Sequence, residues 1–71
     1  MTINDMIDAG INIEGEIEIR KWDSEIDDAL VLFKGDVYEL NTYASYMDEE
    51  ISYMFAYKGE YTTVLCFELA N

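Results

Sequence analysis

From Ile11 onward the chain alternates: Ile11, Ile13, Ile17 and Ile19 are separated by Asn12, Glu14, Glu16 and Glu18. A period of two puts the isoleucines on one face of a strand and the carboxylates on the other. Gly15 takes an inward position without a side chain, which marks a bulge or the close approach of another element. Trp22 is out of phase, because Lys21 holds the inward slot. Either the strand bulges near Arg20 or Trp22 emerges on the opposite face. Ahead of this strand, Thr2 with Asp5 three residues on fits a capping box, and Ile3, Met6 and Ile7 recur at helical spacing. These residues predict a short helix from Ile3 to Ala9, ended by Gly10 in the left-handed conformation.

Asp23-Ser24-Glu25-Ile26-Asp27-Asp28 reads as an acidic turn, Ala29 to Phe33 as a second strand, and Lys34-Gly35-Asp36 as a turn back toward Val37, Tyr38 and Leu40. Asn41 to Met47 mixes cap residues with Tyr43, Ala44, Tyr46 and Met47, which suits one helical turn or a loop carrying aromatics. A hairpin follows. Ile51, Tyr53, Phe55 and Tyr57 alternate, Lys58-Gly59 turns, and Tyr61, Thr63, Leu65, Phe67 and Leu69 alternate on the return. The expected fold is α+β: a short N-terminal helix packed on a mainly antiparallel sheet of about four strands, residues 1–71 forming one domain. Met54, Ala56, Val64 and Cys66 fall opposite the main apolar set of the hairpin, and one helix covers only one face. Loops or a second copy of the chain would cover the rest.

Composition narrows the function classes. An apolar fraction of 51% is too high for intrinsic disorder. Four basic against sixteen acidic residues give a net charge of −12, whose self-repulsion a basic partner would offset. DNA, RNA and anionic membranes attract lysine and arginine and repel this charge, so none is expected as a direct ligand. The single cysteine, Cys66, forms no internal disulfide, the first residues are acidic where a signal peptide is basic, and the longest apolar run is Ala29 to Phe33. The expected location is a reducing cytoplasm.

Catalytic chemistry finds little material. The chain has no histidine, which removes the commonest general base and any serine or cysteine triad built on it. Cys66 lies between Leu65 and Phe67 with no cation close in sequence, the setting of an inert core thiol. Asp23, Glu25 and Asp27 have the spacing that opens a calcium loop, but Asp28 stands where Gly is required and Lys34 where a bidentate Glu belongs. No glycine-rich phosphate loop is present. The chain is expected to be a binding protein without enzyme activity, cofactor or metal.

What remains is the placement of acid. Glu14, Glu16 and Glu18 on one strand face would repeat every ~6.6 to 6.8 Å, close to twice the ~3.4 Å axial rise per phosphate of a DNA strand. Carboxylates so spaced can meet arginines that otherwise hold phosphates, although a plain solvated face gives the same pattern. Asp23, Glu25, Asp27 and Asp28 form a second cluster and Asp48, Glu49 and Glu50 a third, with Trp22, Tyr43 and Tyr46 beside them as aromatic anchors or core filling.

The opening Met1 to Ile19, the segment Asp48-Glu49-Glu50-Ile51-Ser52-Tyr53-Met54 and the close from Val64 to Leu69 resemble small acidic proteins carried by phages and mobile elements of Gram-positive bacteria. Members of that group with known roles include anti-CRISPR and anti-restriction proteins, some of which imitate DNA or block the DNA-binding cleft of a nuclease complex. The resemblance implies an inhibitor of a basic nucleic-acid-binding protein, a CRISPR effector first, and carries no residue roles. An immunity or antitoxin-like protein that neutralises a basic toxin, and a homodimeric accessory domain without inhibitory role, are the alternatives.

Overall fold

The computed structural model describes residues 1–71. Helix α1 spans Ile3–Asp8, and its capping box forms: the Thr2 hydroxyl accepts from the Asp5 amide and the Asp5 carboxylate accepts from the Thr2 amide. Six residues make too short a helix to persist alone in water. It is held by burying Ile3 and Met6 in the main core. No helix is long and apolar enough to cross a membrane.

Four strands follow: β1 Glu16–Asp23, β2 Asp28–Asp36, β3 Ile51–Lys58 and β4 Thr63–Leu69. The sheet order is β2-β1-β4-β3. β1 with β2 and β3 with β4 are antiparallel hairpins, and β1 runs parallel to β4 at the centre. The link from β2 to β3 therefore crosses from one sheet edge to the other, through 3-10 turns at Val37–Glu39 and Ser45–Asp48. The second turn buries Met47 beside α1. Helix and crossover together cover one face, over a core of Ile3, Met6, Ile17, Ile19, Met47, Phe67 and Leu69. The architecture is α+β, a short helix on a four-stranded, mostly antiparallel sheet.

The expected first strand is shortened. Gly15 has φ +84°, a left-handed backbone that breaks the extended run, so Ile11, Ile13 and Glu14 precede β1 instead of belonging to it. Lys34 and Gly35 do not turn the chain: β2 runs through them to Asp36, and Val37–Glu39 beyond it form a 3-10 turn with Leu40 as its C-cap. Trp22 does emerge on the face opposite the isoleucines, since β1 keeps step with β4 up to Lys21 opposite Leu69. The nearby irregularity lies in β2, where Leu32 is the extra residue between Ile19 paired with Phe33 and Arg20 paired with Val31. Ser52 plays the same part in β3. Both outer strands thus carry a bulge, which blunts an open edge against further pairing.

The terminal hairpin forms, but its faces are assorted differently. β3 and β4 are joined by Gly59 to Thr62, with the Gly59 amide donating to the Thr62 carbonyl at 2.8 Å. This four-residue connection sets Tyr57 opposite Val64, Phe55 opposite Cys66 and Met54 opposite Phe67. Tyr53, Phe55 and Tyr57 therefore share a face with Val64, Cys66 and Glu68, while Met54 and Ala56 side with Leu65 and Phe67. An even-numbered loop reverses the pairing parity that an odd one would give.

Candidate functional site

The uncovered sheet face is a layer of charge and aromatic rings. Across it Glu16, Glu18 and Arg20 of β1 lie beside Val64, Cys66 and Glu68 of β4, which lie beside Tyr57, Phe55 and Tyr53 of β3. The rings of Tyr53 and Phe55 stack at 5.7 Å between centroids, and Phe55 and Tyr57 tilt together at 6.3 Å. The Arg20 guanidinium reaches over β4 to lie 4.8 Å from the Phe55 centroid, and the Lys34 ammonium stands 6.0 Å from that of Tyr57. The Tyr57 oxygen beside it raises the Lys34 pKa above the ordinary lysine value. Beneath this layer Val64 and Cys66 are fully buried, although no helix covers them.

The expected carboxylate row along β1 is not formed. Glu14 lies in the coil before the strand, exposed, and accepts from the Asn12 amide at 2.9 Å. Glu16 is half-buried opposite Asp36. Glu18 is only 8% exposed, with the Cys66 thiol donating to its Oε2 at 3.5 Å. The cause is the mixed sheet: a central strand has neighbours on both sides, so side chains on its polar face are walled by those of β2 and β4. Glu68, on the other central strand, is equally enclosed, its Oε1 3.5 Å from Arg20 Nε, an ion-pair contact that leaves this buried nitrogen without a hydrogen bond.

Burial pushes the Cys66 thiol up to about 11 from 9.0, Arg20 pulling the other way and Glu18 adding to the rise. Below about pH 9 both folded and unfolded chains hold this proton; between about pH 9 and 11 only the folded chain does. Stability is therefore lost as pH rises through that window. Urea unfolding near pH 8 and near pH 10.5 should show the parent protein losing about 2 kcal/mol more than Cys66→Ala over the same interval. Equal losses would mean that the thiol titrates freely.

The other two acidic clusters are brought together. Because β1 and β4 are parallel and Ile51 pairs with Leu69, the β1–β2 turn and the entry to β3 lie at the same end of the sheet. Asp23, Glu25, Asp27 and Asp28 thus stand on the same rim as Asp48, Glu49 and Glu50. Lys21 of β1 pairs with the third cluster, its ammonium 2.5 Å from Glu49 Oε1, and Glu50 pairs with the Met1 ammonium. Asp48 accepts from Asn4 at 2.8 Å. Within the turn, the Glu25 amide donates to Asp23 at 2.9 Å, and Asp27 takes a left-handed φ of 53°, a conformation Asp tolerates better than most residues. No basic side chain pairs with any of the four carboxylates of this turn. Exposed Ile26 sits among them.

Of the expected aromatic anchors, Trp22 is 43% exposed at this end, and Tyr43 is almost wholly exposed beside Asp48 and the end of α1. Tyr46 is half-buried against the core and fills space. Sequence reasoning missed Arg20 and Tyr53, which join Trp22 around a groove at the acidic end. Their shared face follows from the loop parity of the hairpin. No group of three or more carboxylate or thiol side chains converges closely enough to hold a metal ion. Comparison with known proteins adds no relative: no family model, no curated protein and no solved structure matches the chain.

Proposed function

We propose that the protein is an inhibitor that occupies the nucleic-acid-contacting surface of a basic nucleic-acid-processing protein, presenting the acidic end of its sheet to the arginines and lysines that otherwise hold phosphates. One observation carries the reading: two clusters about twenty residues apart in the chain, Asp23 to Asp28 and Asp48 to Glu50, meet on one rim, with Trp22 beside them as an aromatic anchor. Carboxylate and phosphate offer a guanidinium the same bidentate geometry, so such a rim competes for sites built for DNA or RNA. A partner made of a second copy would bring like charge against like charge. With the phage-protein resemblance, a CRISPR effector nuclease is the first target to test, as an anti-CRISPR activity.

The test is DNA cleavage by such a complex in the presence of the protein. Inhibition is expected, relieved by excess target DNA and weakened as salt rises from about 0.05 M to about 0.3 M, because both ligands draw on the same cations. Inhibition indifferent to DNA concentration would place the contact away from the nucleic-acid site. Binding to a basic toxin instead of any nuclease complex would favour the immunity-protein alternative.

A further inference from the structure

A groove of about 370 Å³ opens on the uncovered face at the acidic end. Its origin lies in residue size. Trp22 pairs with Ala29 on one side, and Ala70 follows β4 on the other, so two small side chains leave the indole standing free. Tyr53, 49% exposed, forms part of the opposite side with Ser52 at the β3 bulge. Arg20 and Glu68 line the groove as well, and their charges match one another across 3.5 Å. Among the side chains lining the groove Asp28 carries the charge left over: its Oδ1 accepts from the Ala29 amide at 2.7 Å, and no basic side chain pairs with it. The rim beyond carries Asp23 and Asp27.

We propose that this groove seats one arginine side chain of the basic partner, stacked on Trp22 and Tyr53 and paired with Asp28; the proposal rests on the inhibitor reading above. The net negative charge of the groove and its rim selects a cation, and aromatic faces attract one through their quadrupole. A guanidinium fits better than an ammonium. It is flat, it is weakly hydrated, and it stacks on a ring while donating to a carboxylate in its own plane. The same sheet face already holds such a pair, Arg20 over Phe55 at 4.8 Å beside Glu68.

Trp22 is the only tryptophan of the chain, so its fluorescence reports on the groove directly. The probes are a short oligoarginine peptide and an oligolysine peptide of equal length, titrated at low salt with calorimetry as an independent measure of binding. Oligoarginine is expected to change Trp22 emission saturably and to bind about tenfold more tightly than oligolysine. Tyr53→Ser removes one aromatic side, and Ala29→Arg fills the groove from within; each should weaken oligoarginine about tenfold, with circular dichroism confirming the fold. Glu16→Lys, toward the far end of β1, should leave the emission response in place. Oligoarginine binding that leaves Trp22 emission unchanged, that survives both substitutions, or that oligolysine equals would overturn the groove assignment while leaving the acidic rim as the contact. Binding of neither peptide at low salt would overturn both.

Discussion

Reversing Glu25, Asp28 and Glu50 to lysine is expected to weaken binding to a basic partner by about a hundredfold at low salt, whereas reversing Glu14, Glu39 and Glu60 costs less than about fivefold. All six side chains are exposed, and the two variants carry the same net charge. They differ in where the charge sits. Glu25, Asp28 and Glu50 belong to the rim at the β1–β2 turn and the β3 entry, while Glu14, Glu39 and Glu60 lie toward the opposite end of the sheet. Close charge pairs across an interface couple by about 1.5 kcal/mol or more, and three contacts turned from attraction to repulsion easily exceed the ~2.7 kcal/mol that a hundredfold represents. Long-range steering by total charge would fall equally in both variants, mainly in the association rate. Surface plasmon resonance at two salt concentrations measures both terms. Equal losses would show that the protein acts as a diffuse polyanion, and the localised rim would have to be abandoned. Asp27 is left untouched because its left-handed backbone makes lysine there a conformational perturbation as well as a charge change.

Reversing Glu14, Glu16 and Glu18 to lysine, the set that the alternating pattern places on one face, does not isolate a surface. Glu18 is enclosed beside Cys66 and faces Lys34 across the β1–β2 ladder. An ammonium at Glu18 would lose solvent and meet Lys34, so its first effect would be on folding. Val64, assigned by alternation to an open apolar face, is fully buried as well, under the charged and aromatic layer that Arg20, Lys34 and the β3 rings build. A lysine there would likewise report on stability before assembly.

These differences have a common physical origin. What depends on residues close in sequence was legible: the Thr2–Asp5 capping box, the β3–β4 hairpin, the acidic turn after Trp22 and the α+β class itself. What depends on pairing between distant segments was not. The expected row of glutamates assumed that one strand face stays open to water, and a central position in the sheet removes that assumption for Glu18. The faces of the hairpin depended on whether its loop had an odd or even number of residues, which Lys58-Gly59 alone does not determine. Most consequential is the crossover from β2 to β3: it makes β1 and β4 parallel and so carries Asp48 to Glu50 to the end occupied by Asp23 to Asp28. No local periodicity encodes that meeting. The aromatic anchors divided the same way, Trp22 and Tyr43 lying at the surface and Tyr46 against the core, because burial is decided by what packs over each residue.

Ile19→Ala and Ile11→Ala test the boundary of the core on two residues that the alternating pattern treats alike. Ile19 is fully buried on a central strand, paired with Phe33 and Phe67 and part of the cluster under α1. Removing its side chain loses transfer free energy and leaves a cavity that strands on both sides keep from collapsing, a cost of about 2 to 5 kcal/mol. A chain of this length is expected to have only about 4 to 11 kcal/mol in all. Only eleven of its residues are buried, so few other contacts share the load. Ile19→Ala should therefore leave a substantial unfolded population at 37 °C, visible as a large fall in urea midpoint or as loss of cooperative unfolding. Ile11 lies before the left-handed Gly15, outside the sheet and 48% exposed. Its truncation should change stability by no more than about 0.5 kcal/mol. A comparable loss from Ile11→Ala would mean that β1 extends back through Gly15 in solution and that Glu14 belongs to the strand after all.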